Sequence, residues 1–182
     1  TPPRKDAEGM DRSAWLKAVR LLGIPYVLIL FIVTLLDSTI HNGYFVVIDG
    51  FLQKVGISAN MSMVVSSIGQ VAEILTMVVL GSVLAKLGWK STLIIGIVGH
   101  AIRFGIFAFF GTPDHAWLII ASQVLHGICY AFYFVTVYLF VDAVFPKDVR
   151  TSAQGLFNLL ILGVGMVVAS KVFPALSAKY TV

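Results

Sequence analysis

Long apolar runs separated by short polar breaks dominate the sequence. A helix that spans a bilayer needs about 20 consecutive, mostly apolar residues, and five runs meet this requirement. The breaks between them contain glycine, proline and charged residues, and none is long enough to form a soluble domain. The pattern predicts an all-α membrane protein with about five transmembrane helices, over Leu21–Phe45, Met61–Ala85, Ser91–Phe110, Ala116–Val141 and Gln154–Phe173.

Composition agrees with this prediction and argues against several other classes of protein. Of the 182 residues, 58% are hydrophobic and 12% are charged, and the mean hydropathy is +0.93. Soluble domains contain about 25% charged residues, which argues against a disordered chain and an ordinary cytosolic enzyme. The net charge of +4 does not indicate a nucleic-acid partner, because the basic residues lie in the short breaks. The single cysteine, Cys129, cannot form an internal disulfide.

The distribution of lysine and arginine predicts the orientation in the membrane. With five spans, nine of these residues fall on the side of the N-terminus and three on the opposite side, while Arg103 lies inside the third span. Basic residues concentrate on the cytoplasmic side, so we expect the N-terminal segment to be cytoplasmic. Within it, residues 11–20 are a candidate amphipathic helix at the membrane surface, with Trp15 as its anchor.

Polar side chains inside the apolar runs are the candidates for function, because ionisable residues at membrane depth cost roughly 2.5–3.5 kcal/mol each on insertion scales. In the second helix, Gln70 and Glu73 share a face with Ser66 and Met77. Glu73 lies near the middle of that helix, where a carboxylate can take up and release a proton. The alternative interpretation is an interhelical hydrogen bond that only stabilises the bundle.

The fourth helix carries a second polar face, made of Gln123, His126, Tyr130 and Tyr133 at spacings of three and four residues. Amide, imidazole and phenol groups suit a flat polar ligand, which stacks on the rings and bonds to their polar ends. The alternative is ordinary core packing, since aromatic residues at helical spacing are usually buried.

The first and third helices contribute further ionisable groups. Asp37, His41 and Asn42 lie in the outer half of the first helix, where Asp37 and His41 are one turn apart. These residues either line a cavity and relay protons, or Asp37 and His41 neutralise each other. His100 and Arg103 share a face of the third helix, where a buried arginine needs a carboxylate or helix-end carbonyls as its partner. We expect Arg103 to have a structural or gating function.

The remaining signals are negative or structural. The small residues of the fifth helix favour close helix packing, and they are Gly155, Gly163, Gly165 and Ala169. Motifs of metalloproteases, serine hydrolases and phosphate-binding loops are absent, and the four histidines lack metal-ligand spacing. We therefore expect no enzymatic activity and no cofactor.

Three stretches together resemble the nucleoside:proton symporter family of the major facilitator superfamily. They are Ser66–Ile74 with its Gln-x-x-Glu pattern, Ala101–Ala108 around Arg103, and Leu139–Phe157. The third is the most specific, because it combines Phe-Val-Asp with Arg-x-Ser-Ala-Gln-Gly-Leu-Phe. The turn Gly81–Lys90 is also similar to a loop repeat of the wider superfamily.

The resemblance implies a place in a larger transporter that has twelve helices in two halves. The five predicted helices correspond to the seventh through the eleventh, so that residues 21–182 form most of the C-terminal half, without its last helix. Residues 1–20 correspond to the end of the central cytoplasmic loop. The implied partners are a nucleoside, a proton, the lipid bilayer and an N-terminal half outside this sequence, in a bacterial inner (plasma) membrane.

The resemblance also implies functions for individual residues. It implies substrate contact at Gln70, Glu73, Asn42, His41, His126 and Tyr130. Ala131 stands where some relatives have an acid, so we assign proton coupling to Glu73 or Asp37 and gating to Arg103. Two alternatives stay open: a transporter of another small polar solute such as a sugar, and a non-transporting membrane scaffold or sensor.

Overall fold

The computed structural model of the chain describes residues 14–180, except for the side chains of Ala14, Trp15, Asp148 and Tyr180. Within these residues every regular element is helical, as predicted. The anchoring function expected of Trp15, and the first positions of the expected surface helix, lie outside what the structure describes.

Five helical stretches follow one another along the chain. Helix α1 is Ala14–Arg20, α2 is Pro25–Lys54 and α3 is Ala59–Phe110. The proline that opens α2 suits a first helical position, where its fixed φ fits and its missing N–H is not needed. Two longer helices follow, each made of consecutive helical segments. Helix α4 consists of Pro113–His115, Ala116–Ala121, Gln123–Tyr130, Ala131–Val135 and Thr136–Val144. Helix α5 consists of Lys147–Asn158, Leu159–Val164 and Gly165–Tyr180.

Helices α2 to α5 are long and apolar enough to cross a membrane, and α3 is long enough to cross it twice. Its 52 residues would extend for about 78 Å as one straight helix, against a hydrocarbon thickness of about 30 Å. Gly88 interrupts α3 with φ of 72° and ψ of 172°, a conformation open almost only to glycine.

The contacts of α3 show that the chain reverses direction at Gly88. Before it, Gly69 packs on His126, and after it, Gly99 packs on Cys129, less than one turn away along α4. Residues 59–87 and 89–110 are therefore two separate arms that pack side by side on α4. The described residues contain four helices that could cross a membrane, and the division of α3 at Gly88, inside the predicted turn at Lys86–Lys90, gives the five predicted spans.

Helix α2 packs against α5 through small residues. A Cβ atom on Gly43 would overlap the ring of Phe173, and one on Gly165 would lie 2.6 Å from Oγ of Ser38. Ala169 is fully buried. The packing function predicted for small residues of the fifth helix is thus confirmed for Gly165 and Ala169, whereas a Cβ on Gly155 would have no neighbour within 4 Å.

Two widened π-turns, Ala131–Val135 in α4 and Leu159–Val164 in α5, alter the helical hydrogen-bond pattern. Such turns free backbone carbonyls, which need other partners inside a bundle. In α4 the hydroxyl of Thr136 donates to the carbonyl of Ala131 at 3.3 Å. In α5 the carbonyl of Ile161 accepts from Nδ2 of Asn42 at 2.7 Å, so a side chain of α2 satisfies the widened turn.

The interior has an apolar cluster towards each end and a polar layer between them. One cluster contains Val27, Phe134, Val141 and Phe157, together with Ala18, which fixes α1 to the bundle. The other contains Tyr44, Ile48, Leu52, Val65 and Ile119. Between them, the middle parts of α2, the second arm of α3, and α4 contribute the buried ionisable side chains, which are Asp37, His41, His100, Arg103 and His126.

Candidate functional site

The centre of the polar layer is a contact between α2 and the second arm of α3. Nδ1 of His100 lies 2.9 Å from Oδ1 of Asp37, and both side chains are at least nine-tenths buried. Our alternative that Asp37 and His41 neutralise each other is therefore wrong. The partner of Asp37 comes from another helix, because the two spans cross at this depth.

His41 instead belongs to an aromatic group with α4. Its ring stacks on that of His126, with centroids 5.0 Å apart and an angle of 16° between the planes. The ring of Tyr130 lies 5.2 Å from His41, and that of Phe134 lies 5.1 Å away. Three of the predicted substrate contacts, His41, His126 and Tyr130, thus lie together, and Tyr130 is the one that is only half-buried.

Arg103 is fully buried and is held by an amide and an aromatic ring. Its Nη2 donates to Oε1 of Gln123 at 3.2 Å, and the same oxygen accepts from the hydroxyl of Tyr44 at 2.9 Å. The guanidinium carbon lies 4.0 Å from the centroid of the Tyr44 ring. The prediction that Arg103 has a carboxylate or helix-end carbonyls as its partner is wrong. Its partners are instead the ring of Tyr44, through a cation–π contact, and the amide oxygen of Gln123, which also accepts from Tyr44.

Glu73 lies on the flank of the first arm of α3 near Tyr130, and Gln70 precedes it by three residues on the same side of the helix. Gln70 is exposed and Glu73 is half-buried. The backbones of α3 and α4 approach closely here, because a Cβ on Gly127 would lie only 2.2 Å from the backbone nitrogen of Glu73. This approach brings Tyr130 within electrostatic range of the Glu73 carboxylate. The two polar faces predicted for the second and fourth helices are therefore adjacent.

Asn42 is buried, and its amide nitrogen is already bonded. Nδ2 donates to the carbonyls of Ser38 at 2.8 Å and Ile161 at 2.7 Å, which uses both of its hydrogens. The structure gives this group a helix-packing function, and a substrate cannot accept a hydrogen bond from it without breaking one of these contacts.

The sequence profile of a family described as "Nucleoside H+ symporter" matches residues 1–182, the whole chain. The chain belongs to this family of transporters. No solved structure gives a significant match.

Curated relatives agree with the family and are longer than this chain. YegT of Escherichia coli (strain K12), described as a candidate nucleoside transporter, is 34% identical over 170 residues, which are 91% of this chain and 39% of YegT. The nucleoside permease NupG of the same organism is 29% identical over 65% of the chain and 28% of its own length. The xanthosine permease of E. coli is 31% identical over 57% of the chain and 25% of its own length. The chain therefore spans two fifths or less of each.

The polar face formed by Gln70, Glu73 and Tyr130 lies apart from the grooves on the described surface. Two grooves of about 420 and 550 Å³ lie elsewhere on the described surface, and neither contains Glu73 or His126. The smaller groove, lined by Val64, Val71 and Ile128, lies on the opposite flank of the same two helices. One flank of this helix pair is thus apolar, as lipid requires, and the other carries the polar face.

Two residues of this buried layer were not among the predicted site residues. His100 shares a helical face with Arg103 in the sequence, but its pairing with Asp37 depends on how two spans cross. Tyr44 carries no local signal, because one tyrosine in an apolar run is usually a packing residue. Only the fold brings its ring under the guanidinium of Arg103.

Proposed function

We propose that the full-length protein containing this chain transports nucleosides together with protons by alternating access. Membership of the symporter family and the names of the relatives support this proposal. The observation that carries it is the polar face, half-buried between two spans and backed by a buried ionisable layer. Transporters of this type bind substrate near the middle of the bilayer and expose it to each side in turn.

In this proposal the nucleoside lies on the flank shared by α3 and α4. Gln70 and Glu73 form hydrogen bonds with ribose hydroxyls and base edges, because an amide and a carboxylate together supply donors and acceptors. The ring of Tyr130 stacks on the base, and the stacked pair of His41 and His126 supports that ring from behind. Asn42 holds α2 against α5 and thereby positions this layer.

The proposal assigns the second wall of the site to the N-terminal half of the transporter. Gln70 is exposed because nothing in the described residues covers it. A second half placed against this flank would enclose the substrate. Residues 1–20 are then the end of the central loop on the cytoplasmic side of a bacterial inner membrane, as the distribution of basic residues supports.

Reconstituted transport tests the proposal. Full-length protein in liposomes, with the outside more acidic than the inside, should accumulate labelled uridine, and Glu73→Gln should reduce uptake by at least about tenfold. Asp49→Asn is the matched control, because Asp49 is exposed near the end of α2. Inhibition of uptake by unlabelled sugars but not by nucleosides would favour the second candidate, a transporter of another polar solute. No saturable uptake or binding would favour a scaffold.

A further inference from the structure

We propose that the Asp37–His100 pair is the proton-binding element of this transporter, and that His41 and His126 connect it to the polar face at Glu73 and Tyr130. The inference rests on the proposed symport function. It assigns the proton to a site separate from Glu73, which then serves the substrate.

The first observation is the incomplete bonding of the pair. Asp37 Oδ1 and His100 Nδ1 contact each other, while Asp37 Oδ2 and His100 Nε2 are buried and have no partner among the described residues. Buried polar atoms without partners are rare and need a reason. Here each is an atom that can accept or carry a proton.

The second observation is that proton binding changes the charge of the pair and the contact between two spans. With Nδ1 of His100 donating to Asp37, a proton that arrives from water forms an N–H bond at Nε2 and leaves an imidazolium beside a carboxylate. The pair then changes from a single negative charge to neutral, and release of the proton reverses this. A buried carboxylate depends strongly on such a partner, so the proton state alters how firmly α2 holds the second arm of α3.

The third observation is a row of imidazoles that leads to the substrate face. The ring centroid of His41 lies 6.1 Å from that of His100, 5.0 Å from that of His126 and 5.2 Å from that of Tyr130. Nδ1 of His41 and Nδ1 of His126 are also buried without partners in the described part of the chain. Water molecules that bridge neighbouring polar atoms would complete a path from Glu73 and Tyr130 to Asp37.

Other titratable groups surround the row without interrupting it. Arg103 lies within electrostatic range of both His41 and His126, and Asp37 lies within electrostatic range of Cys129 and Tyr133 of α4. No three His, Cys, Asp or Glu side chains in the described residues are arranged to hold a metal ion. In the described polar layer Arg103 carries a fixed positive charge and Asp37 a negative one, so the layer is neutral when its histidines are neutral and gains one positive charge with a bound proton.

Two transport assays on the full-length protein in liposomes test the inference. Counterflow measures exchange of labelled for unlabelled uridine at equal pH, whereas accumulation requires a pH gradient. A gradient of about one unit supports roughly tenfold accumulation with one proton per nucleoside. Asp37→Asn should keep counterflow but lower accumulation to about equal concentrations, and it should abolish the proton uptake that uridine triggers. Asp49→Asn, the same change at an exposed site of α2, should leave both assays unchanged.

The outcomes separate this inference from the proposed function. If Asp37→Asn accumulates uridine and takes up protons as well as the wild type does, the inference is overturned, while the proposed nucleoside transport stands. If Asp37→Asn also loses counterflow, Asp37→Glu decides, because it keeps a carboxylate. Proton-driven accumulation by Asp37→Glu supports the pair as the proton site, and failure of Asp37→Glu in both assays assigns Asp37 a purely structural function. Absence of uridine transport by the wild type would instead refute the proposed function itself.

Discussion

Asn42 joins two helices through backbone atoms rather than through a second side chain. Its amide nitrogen donates one hydrogen bond to a carbonyl of its own helix and one to a carbonyl in the widened turn of α5. Asp37 and Arg103 also join helix pairs, but each bonds to a side chain of another span, His100 for Asp37 and Gln123 for Arg103. At the scale of single residues, the buried polar groups therefore set how the spans are rotated relative to one another.

Asn42→Ala should destabilise the protein and leave the nucleoside affinity of the folded transporter nearly unchanged. It removes two hydrogen bonds in the membrane interior, which together contribute about 1–3 kcal/mol. Thermal unfolding of the purified full-length protein, with Asn60→Ala at the exposed start of α3 as control, measures the loss. An unchanged unfolding temperature with much weaker uridine binding would instead identify Asn42 as a substrate contact.

Arg103→Lys should lower the unfolding temperature although it conserves the charge. A lysine cannot place a planar guanidinium over Tyr44 and also reach Gln123, so about 1–2 kcal/mol of stabilisation is lost. Tyr44→Phe is the informative comparison, because it keeps the ring and removes only the hydroxyl contact with Gln123. If Arg103→Lys unfolds at the wild-type temperature, the charge alone explains the arginine.

At the scale of helices, glycines determine where two spans can touch. Gly69 and Gly127 allow the first arm of α3 to approach α4 at the level of Glu73, and Gly96 does the same for the second arm. The polar face depends on this approach, because it brings the Glu73 carboxylate within electrostatic range of Tyr130. Gly88 performs a different task, because its positive φ turns α3 back on itself.

Gly127→Ala should be poorly tolerated. The added methyl group would lie 2.2 Å from the backbone nitrogen of Glu73 and 2.3 Å from the carbonyl oxygen of Gly69, and backbone atoms cannot yield as a side chain can. We expect a loss of about 1–3 kcal/mol by overpacking, measured by thermal unfolding in detergent.

Gly81→Ala provides the matched control, because the same change at this helical glycine meets nothing within 4 Å. It should be neutral or stabilising, since alanine favours helix over glycine by up to about 1 kcal/mol. Equal stability of Gly127→Ala and Gly81→Ala would contradict the close approach of α3 and α4.

Gly88→Ala should weaken the turn between the two arms. An L-residue held at φ of 72° and ψ of 172° costs about 1–3 kcal/mol, even though nothing lies within 4 Å of the added methyl group. Gly105→Ala, in a helical and equally open position, should show no such loss. A Gly88→Ala protein as stable as Gly105→Ala would contradict the reversal of α3 at this residue.

For the whole molecule, the sequence predicted what depends on local pattern. Five apolar runs gave the spans, and spacings of three and four residues placed Glu73 and Tyr130 on faces that the fold brings together. The partner of Asp37 and the bonds of Asn42 were not predictable in this way. They depend on the rotation and depth at which distant spans cross, and the widened turn of α5 that supplies Ile161 has no local signature.

Within the described residues, the pair formed by the first arm of α3 and α4 presents one polar flank, which we assign to a watery substrate cavity, and one apolar flank, which we assign to lipid. Gln70 and Val71 are adjacent in sequence and at nearly the same depth, but their side chains point about 100° apart around α3. Val71 lines the apolar groove and Gln70 does not. Their different surroundings make them a matched pair of probes.

Cysteine labelling of this pair distinguishes a cavity from lipid. Gln70→Cys and Val71→Cys would be introduced into the full-length transporter after replacement of its native cysteines, including Cys129, and treated with a water-soluble maleimide. We predict that Gln70→Cys reacts, that uridine slows its reaction, and that Val71→Cys resists labelling. Reaction of Val71→Cys at the same rate, or labelling of Gln70→Cys that uridine does not change, would contradict a nucleoside site on this face.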